Sequence, residues 1–328
     1  MDKLIEKFPA QLVEALEIGK KATIHKHVHD LNKVYVSGLG GSGIGANFVQ
    51  EFVSNECKIP YVVGKKYTIP AFVDQNTLAI VSSYSGNTEE TLEAFAAMQK
   101  TGAKIVCISS GGKLLEAAKE KGYDFIQVPG DWPSPRACLG YSVVQQLFIL
   151  NKLGLISSKS IEEVSSSVNL IKYDMESIKD KAEKIANILH GKIPIIYIED
   201  RMEAVAVRLR QQINENGKML CWHHVIPEMN HNELVGWRHK NDDFAVLFLR
   251  NKDDMKRNQI RTNINKEIIG KYTNTIIEVI SKGNSHVERA MYLVHLGDWI
   301  SWYLAQLGGF DAIEIDVIDH LKSELGKV

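Results

Sequence analysis

Short β-rich runs alternate with segments of helical composition through most of the 328-residue chain. In the first half, each apolar run ends in turn residues and is followed by a helical pattern. Repeated strand–helix units of this kind predict a parallel sheet covered by helices on both faces. The predicted strands of this half are Lys33–Ser37, Pro60–Val63, Thr77–Ser82, Lys104–Ser109 and Asp124–Val128.

The alternation stops over residues 157–191, which are charged and helical in pattern, and resumes at Ile193. A chain of this length is too long for one ordinary core. We therefore predict an α/β protein of two doubly wound parallel-sheet domains in tandem: residues 1–153, with a helical extension over 1–30, and residues 154–328. The strands predicted for the second domain are Ile193–Ile198, Met219–Val225, Phe244–Leu249 and Thr275–Ile280.

Composition argues against several classes of protein. The chain is 45% hydrophobic and 24% charged with a formal net charge of −1, whereas nucleic-acid-binding proteins usually carry a basic patch or stripe. No uncharged apolar run reaches the roughly 18 residues of a membrane span, and the N-terminus is charged where a signal peptide would be apolar. The four cysteines are scattered, as in a reduced cytoplasmic protein. We expect a cytoplasmic protein that binds neither nucleic acid nor a membrane.

A glycine-rich loop follows the first predicted strand. Gly38-Leu-Gly-Gly-Ser-Gly43 matches the GxGxxG fingerprint of dinucleotide-binding domains and precedes a helical stretch. That fingerprint also requires an acidic residue at the end of the second strand, where Lys65 and Lys66 stand, although a basic residue would suit a 2′-phosphate. The loop amides can instead bind a simple anion at the positive end of a helix. A tight turn alone would also use these glycines, so the first loop leaves three interpretations open.

A second polar loop favours the anion. Ser83-Tyr-Ser-Gly-Asn-Thr88 comes straight after an apolar strand and precedes a helical stretch. The hydroxyls of Ser83, Ser85 and Thr88 can donate to phosphate oxygens, and helix amides add further donors. Helix capping by Thr88 would explain one hydroxyl but not the other two together. The two loops therefore predict a phosphate site.

With both loops in view, the chain resembles the sugar isomerase (SIS) domain family, and within it the bifunctional phosphoglucose/phosphomannose isomerases of prokaryotes. The resemblance covers essentially the whole chain through two flavodoxin-like SIS domains, and it is specific only when its segments are taken jointly. The segments are Gly38–Gly43, Ser83–Thr91, Pro133–Arg136, Asn214–Lys218, Pro227–Trp237 and Ile318–Lys322. The resemblance implies a phosphate cradle made of Gly40, Gly41, Ser42, Ser83, Ser85 and Thr88.

The same resemblance implies the catalytic residues. Moving a proton between C1 and C2 of a sugar phosphate through an enediol requires a base over those carbons, and Glu215 matches the family's base. Arg136, on a proline-stiffened turn, matches an arginine near the reacting centre. His231 matches a histidine that opens the sugar ring, and Lys322 matches a lysine that assists at the ring oxygen. Because the family's histidine comes from the neighbouring subunit, we expect a homodimer with its active site at the subunit interface, without cofactor or metal.

Other interpretations remain open at this point. Without the resemblance, Glu215 is a solvated glutamate before a helix-stopping Gly217, His231 is a loop histidine, Lys322 is a surface lysine and Arg136 is exposed on its turn. A non-catalytic phosphosugar-binding regulator would need an output domain, and the amination of fructose 6-phosphate would need a glutaminase domain. The sequence favours an aldose–ketose isomerase that interconverts fructose 6-phosphate with glucose 6-phosphate, mannose 6-phosphate or both.

Overall fold

The computed structural model describes residues 1–327 as two compact units, each built on one parallel sheet. The N-terminal unit comprises residues 6–172 and 285–288. Of the described residues, the C-terminal unit comprises 1–5, 173–284 and 289–327. The division falls inside a helix that fills the segment without strand signals, whereas the sequence placed the boundary between residues 153 and 154.

The elements of the first half follow the predicted alternation. The short helix α1 (Asp2–Glu6) precedes them. The strands are β1 (Lys33–Ser37), β2 (Tyr61–Gly64), β3 (Thr77–Ser82), β4 (Lys104–Ser109) and β5 (Asp124–Gln127). The helices are α2 (Phe8–Lys21), α3 (Gly40–Val53), α4 (Glu89–Met98), α5 (Gly112–Glu120), α6 (Leu139–Lys152) and the start of α7 (Lys159–Leu189). The five parallel strands have the order β2-β1-β3-β4-β5, which is the flavodoxin-like order.

Both faces of this sheet are buried. Every residue of β3 is buried, and successive side chains of a strand point to opposite faces. On one face, Tyr35, Val81 and Cys107 of the strands pack with Phe95 of α4 and Leu114 of α5. The alternate strand residues are buried on the opposite face, which α3 and α6 cover. Continuous apolar strands thus fix a two-sided core and leave the strand ends free for polar loops.

The second half repeats this architecture with four strands. Its strands are β6 (Ile193–Glu199), β7 (Trp222–Ile226), β8 (Phe244–Arg250) and β9 (Ile276–Ile280). Its helices are α8 (Glu203–Glu215), α9 (Lys256–Ile269), α10 (His286–Gly308) and α11 (Asp316–Leu325). The parallel strands have the order β7-β6-β8-β9, so the predicted pair of doubly wound sheets is confirmed. Across residues 1–327, no helix combines the length and apolar character needed to cross a membrane.

The start of β7 differs most from the sequence prediction. Met219 was expected to open β7, but the strand starts at Trp222. The side-chain amide of Asn214 donates to the carbonyl of Met219 (2.7 Å), and the amide of Met219 donates to the carbonyl of Ile213 (3.4 Å). These bonds keep Met219 in the turn that follows α8, although its side chain is apolar.

Candidate active site

The two loops singled out in the sequence lie at one point of the N-terminal sheet. β1 pairs with β2 on one side and with β3 on the other, so the strand order reverses between β1 and β3. Open α/β sheets bind ligands in the crevice outside the carboxyl ends of the strands at such a reversal. Residues 38–42 follow β1, and residues 83–88 follow β3. A β-carbon added to Gly38 would lie 2.9 Å from the carbonyl oxygen of Ser82, so the loops begin side by side.

The first loop presents the amino end of α3 to this crevice. The helix begins at Gly40, whose φ of +51° lies in the left-handed region that glycine adopts readily. The carbonyl of Leu39 accepts from the amides of Ser42 (3.0 Å) and Gly43 (3.1 Å). The first amides of a helix have no acceptor within it, so those of Gly40 and Gly41 carry the positive end of the helix dipole.

The second loop holds its hydroxyls in a short network. The Ser83 and Thr88 hydroxyl oxygens are 2.9 Å apart, and the Ser83 hydroxyl accepts from the amide of Gly86 at 3.1 Å. The Ser85 hydroxyl, on an exposed side chain, accepts from the amide of Asn87 at 3.3 Å. Thr88 occupies the N-cap position of α4, yet its side chain makes no capping bond. The capping interpretation therefore does not account for this hydroxyl.

A third turn, which was not predicted from the sequence, holds the second loop through hydrogen bonds. Residues 109–112 run from the last residue of β4 to the first residue of α5. The amide and hydroxyl of Ser110 donate to the carbonyl of Tyr84 at 2.9 and 2.6 Å, and the amide of Lys113 donates to the side chain of Asn87 at 3.1 Å. The signal was available, because Ser-Ser-Gly-Gly after an apolar strand repeats the pattern of the other two loops.

Arg136 is buried rather than exposed on its turn. It lies in a 3₁₀ turn, Pro135–Ala137, and is 7% exposed. Gln11 of α2 fixes this turn: its side-chain amide donates to the carbonyl of Ala137 and its side-chain carbonyl accepts from the amide of Gly140, both at 2.8 Å. Sequence reasoning missed Gln11, because its partners are more than 120 residues away.

One pocket of the N-terminal unit is lined by the first loop, the second loop and the turn that carries Arg136. Its lining includes Gly41 and Ser42 of the first loop, Tyr84 of the second and Pro135 of the arginine turn. A β-carbon added to Gly41 would lie 3.3 Å from the carbonyl oxygen of Pro135, so glycine allows the turn to approach α3. Burial raises the pKa of Tyr84, which keeps its phenol protonated at neutral pH. The pocket therefore combines amide and hydroxyl donors beside a buried arginine turn.

Glu215 is the last residue of α8 in the C-terminal unit and is half-buried. Its neighbour Asn216 is fully buried and donates to the hydroxyl of Ser301 at 2.9 Å, which fixes the helix end. Gly217 follows the C-cap residue Asn216, as a helix-stopping glycine would, and the left-handed residue is Lys218, with φ of +54°. The Lys218 ammonium donates to the carbonyls of Glu215 (2.7 Å) and Glu314 (2.5 Å).

His231 and Lys322 lie on two further elements of this unit. His231 ends a 3₁₀ turn, Glu228–His231, after β7 and is exposed. Lys322 lies on α11, where its exposed ammonium is 3.5 Å from a carboxylate oxygen of Asp319 on the same helix. Lys218 joins the end of α8 to Glu314, two residues before α11, so it connects the segments that carry Glu215 and Lys322.

Comparison with known proteins identifies the family. A bifunctional phosphoglucose/phosphomannose isomerase of Caldicellulosiruptor bescii is 39% identical over 338 residues, covering 100% of this chain and 99% of the relative. The chain belongs to the bifunctional phosphoglucose/phosphomannose isomerase family. A member from Aquifex aeolicus is 37% identical over 328 residues, covering 99% of this chain and 98% of its own. These matches confirm the predicted family and its enzyme class, an isomerase rather than a dehydrogenase.

One further match concerns the family and another concerns the fold. Residues 178–325 match the family model described as the bacterial phospho-glucose isomerase C-terminal SIS domain. The C-terminal domain of glucosamine-fructose-6-phosphate aminotransferase from Francisella tularensis superimposes with a TM-score of 0.73, covering 95% of this chain and 96% of that one. At 13% identity, this likeness concerns the fold alone.

The two sheets of this phosphoglucose/phosphomannose isomerase family member differ at corresponding strand ends. In the C-terminal sheet the strand order reverses between β6 and β8, and β6 ends in Glu199, which is 3% exposed. Its carboxylate accepts from the amide of Met255 (2.6 Å) and the side chain of Asn258 (3.1 Å) at the start of α9, and from Arg201 at 2.7 and 3.0 Å. A side-chain anion thus already occupies this helix terminus.

Within residues 1–327, no three His, Cys, Asp or Glu side chains are grouped so that they could hold a metal ion. His223 instead lies 3.6 Å from a carboxylate oxygen of Glu203.

Proposed function

We propose that this protein interconverts fructose 6-phosphate with glucose 6-phosphate and mannose 6-phosphate through an enediol, with Glu215 as the base. The observation that carries the proposal is the crevice of the N-terminal unit, where two donor-rich loops meet at the strand-order reversal in a chain of this isomerase family. We assign the sugar phosphate to this crevice and the proton transfers to Glu215 and His231.

The crevice suits a phosphate because it offers donors of two kinds. The amides of Gly40 and Gly41 stand at the positive end of α3, and the hydroxyls of Ser42, Ser83 and Thr88 are held close to fixed backbone. Ser85 adds a hydroxyl on an exposed side chain. Hydrogen bonds to a charged oxygen are each worth about 1.5–3 kcal/mol, so four or five of them would anchor the substrate firmly.

The carboxylate of Glu215 is the proposed base. It removes the proton from C2 of the aldose while the C1 carbonyl oxygen gains a proton, which gives the enediol. The same carboxyl group then returns its proton to C1 while the C2 hydroxyl loses its own, so the C2 carbonyl of the ketose forms with no net gain or loss of protons. The Glu215 backbone is fixed by Lys218 and by the neighbouring Asn216, which limits how far the carboxylate can drift from the reacting carbons. Arg136 would stabilise the negative charge that develops on the enediol oxygens.

Ring opening and assembly complete the proposal. His231 transfers a proton between the C1 hydroxyl and the ring oxygen, assisted by the ammonium of Lys322. We propose that the active form is a homodimer in which His231 of each subunit serves the site of the other, which agrees with its exposure in one chain. We also place the enzyme in the cytoplasm, in glycolysis and gluconeogenesis; its four cysteines are free thiols.

The activity is tested by mixing purified protein with fructose 6-phosphate and measuring glucose 6-phosphate and mannose 6-phosphate separately. Formation of both products is the expected result. Saturable binding of fructose 6-phosphate without turnover would instead identify a non-catalytic phosphosugar-binding regulator. Formation of one product alone would restrict the activity to that epimer.

The base is tested with Glu215→Gln. We expect kcat to fall by about 10²–10⁴-fold because general base catalysis contributes that much, while binding of fructose 6-phosphate is kept. Glu203→Gln is the matched control, since it makes the same change at an exposed position of the same helix. Full activity of Glu215→Gln would show that another residue is the base.

A further inference from the structure

The loop that carries His231 is fixed to its unit on both sides of the histidine. We call residues 227–237 the His231 loop. On the side before His231, Met229 is fully buried and the side-chain amide of Asn230 donates to the side-chain carbonyl of Asn265 on α9 at 2.7 Å. His231 and Asn232 are exposed. The loop thus presents the histidine to solvent at its apex while the preceding residues are anchored in the core.

The second anchor is Glu233. Its carboxylate accepts from the Tyr197 hydroxyl at 2.5 Å and from the indole of Trp222 at 3.2 Å. The same Tyr197 hydroxyl accepts from the indole of Trp237 at 3.1 Å, so one buried oxygen holds two points of the His231 loop. Tyr197 is fully buried on β6, which pairs with strands on both sides and is therefore a rigid support.

We propose that Glu233, held by the Tyr197 hydroxyl, is a positioning residue that sets the location of His231 for ring opening. This inference rests on the proposed role of His231. Proton transfer requires a histidine held to within a fraction of an ångström, and an exposed side chain on a loop has that precision only when the loop is fixed on both sides. Glu233 itself is half-buried and its carboxylate is engaged by two donors, so it acts through the loop rather than on the substrate.

The chemistry of the bond supports this role. A hydroxyl donating to a carboxylate at 2.5 Å is a charge-assisted hydrogen bond, which is stronger than a neutral one. Burial and the neighbouring Glu233 carboxylate raise the pKa of Tyr197 well above its ordinary value, so the phenol remains the donor throughout the working range of pH.

Tyr197→Phe tests the inference, because it removes the hydroxyl and keeps the buried ring. We expect kcat with fructose 6-phosphate to fall by about tenfold to a hundredfold, as for a misplaced catalytic group, with KM changed by less than about twofold. The matched control is Tyr61→Phe in the N-terminal unit, which removes a buried hydroxyl that donates to Gln146 at 2.6 Å. The control variant is expected to keep its kcat.

Hydrogen–deuterium exchange gives a readout that is independent of catalysis. Exchange over residues 227–237 should rise in Tyr197→Phe and stay unchanged in Tyr61→Phe. Equal exchange of this segment in both variants, or a kcat for Tyr197→Phe equal to that of Tyr61→Phe, would overturn the inference.

A double variant separates this inference from the proposed function. If Tyr197 acts through His231, adding Tyr197→Phe to His231→Gln should cost no further activity, whereas independent losses that multiply would refute the positioning role. Full activity of His231→Gln would refute the role of the histidine and the positioning role with it. Loss of activity in His231→Gln with full activity in Tyr197→Phe would refute the positioning role alone.

Discussion

Gly86→Ala tests whether the close contact between the second loop and the turn after β4 matters beyond the backbone strain that any left-handed alanine causes. Gly86 has φ of +71°, and a β-carbon there would lie 2.8 Å from the carbonyl carbon of Gly111 and closer still to its oxygen. Ordinary contact begins at 3.4 Å, so the turn after β4 would have to move by at least 0.6 Å, from 2.8 to 3.4 Å. That turn also holds the carbonyl of Tyr84.

The matched control is Gly122→Ala. Gly122 has φ of +69°, with nothing within 4 Å of an added β-carbon, and it precedes β5 at the edge of the sheet opposite the crevice. A left-handed alanine costs about 1–2 kcal/mol, which both variants share. Gly86→Ala should lose about 1–3 kcal/mol more because of overpacking.

Two measurements check this prediction. Calorimetric unfolding should show Gly86→Ala melting below Gly122→Ala, and inorganic phosphate should inhibit the isomerisation of fructose 6-phosphate with a raised inhibition constant in Gly86→Ala alone. Equal melting temperatures with equal inhibition constants would refute the reasoning, because they would show that the contact between the two turns does not shape the phosphate site.

Three further predictions follow from single contacts. Arg208→Met should lower the free energy of unfolding by about 3–5 kcal/mol, because it leaves the Asp298 carboxylate buried without the guanidinium nitrogen that lies 2.7 Å from it. The double variant, Arg208→Met with Asp298→Leu, should lose less stability in urea unfolding than either single variant. Burial raises the pKa of Asp254 from 3.8 to about 6, so folding takes up a proton at pH values between these two. The wild type should therefore lose stability relative to Asp254→Asn as the pH rises from about 4 to 6. Thermal melting across this pH range measures the difference. Thr88→Val removes a hydroxyl that lies 2.9 Å from that of Ser83 but removes no helix cap. The inhibition constant of inorganic phosphate should therefore rise about tenfold or more, with little change in the melting temperature. A large drop in the melting temperature would contradict this interpretation.

The sequence predicted those features that depend on local pattern. β1, β3 and β4 begin and end where expected, because each is an apolar run that ends in serine or glycine. The position of the two polar loops was predicted for the same reason, since a polar turn after a buried strand must lie at the carboxyl edge of a parallel sheet. The late start of β7 was not predictable in this way, because the side chain of Asn214 holds Met219 out of the strand.

The remaining features depend on contacts between distant residues. Gln11 fixes the turn that carries Arg136 from more than 120 residues away, and Glu199 reaches Met255 across 56 residues. In the sequence, Gln11 is one polar residue of an amphipathic helix and Glu199 is one acidic residue after a strand. Gln11 meets its partners because α2 packs against α6, and Glu199 meets Met255 because β6 pairs with β8; no local pattern contains either arrangement.

The carboxylate at the end of β6 has a consequence for how the two units respond to solution conditions. The Glu199 carboxylate balances the positive amino end of α9, so this balance does not depend on the anions in solution. The amino end of α3 offers glycine amides and serine hydroxyls as donors, so the anion that balances its positive charge is a ligand from solution. A ligand that binds only the folded state adds stability in proportion to the logarithm of its concentration. Inorganic phosphate, which lacks the sugar, should therefore protect the N-terminal unit from unfolding without adding a contact to the C-terminal unit.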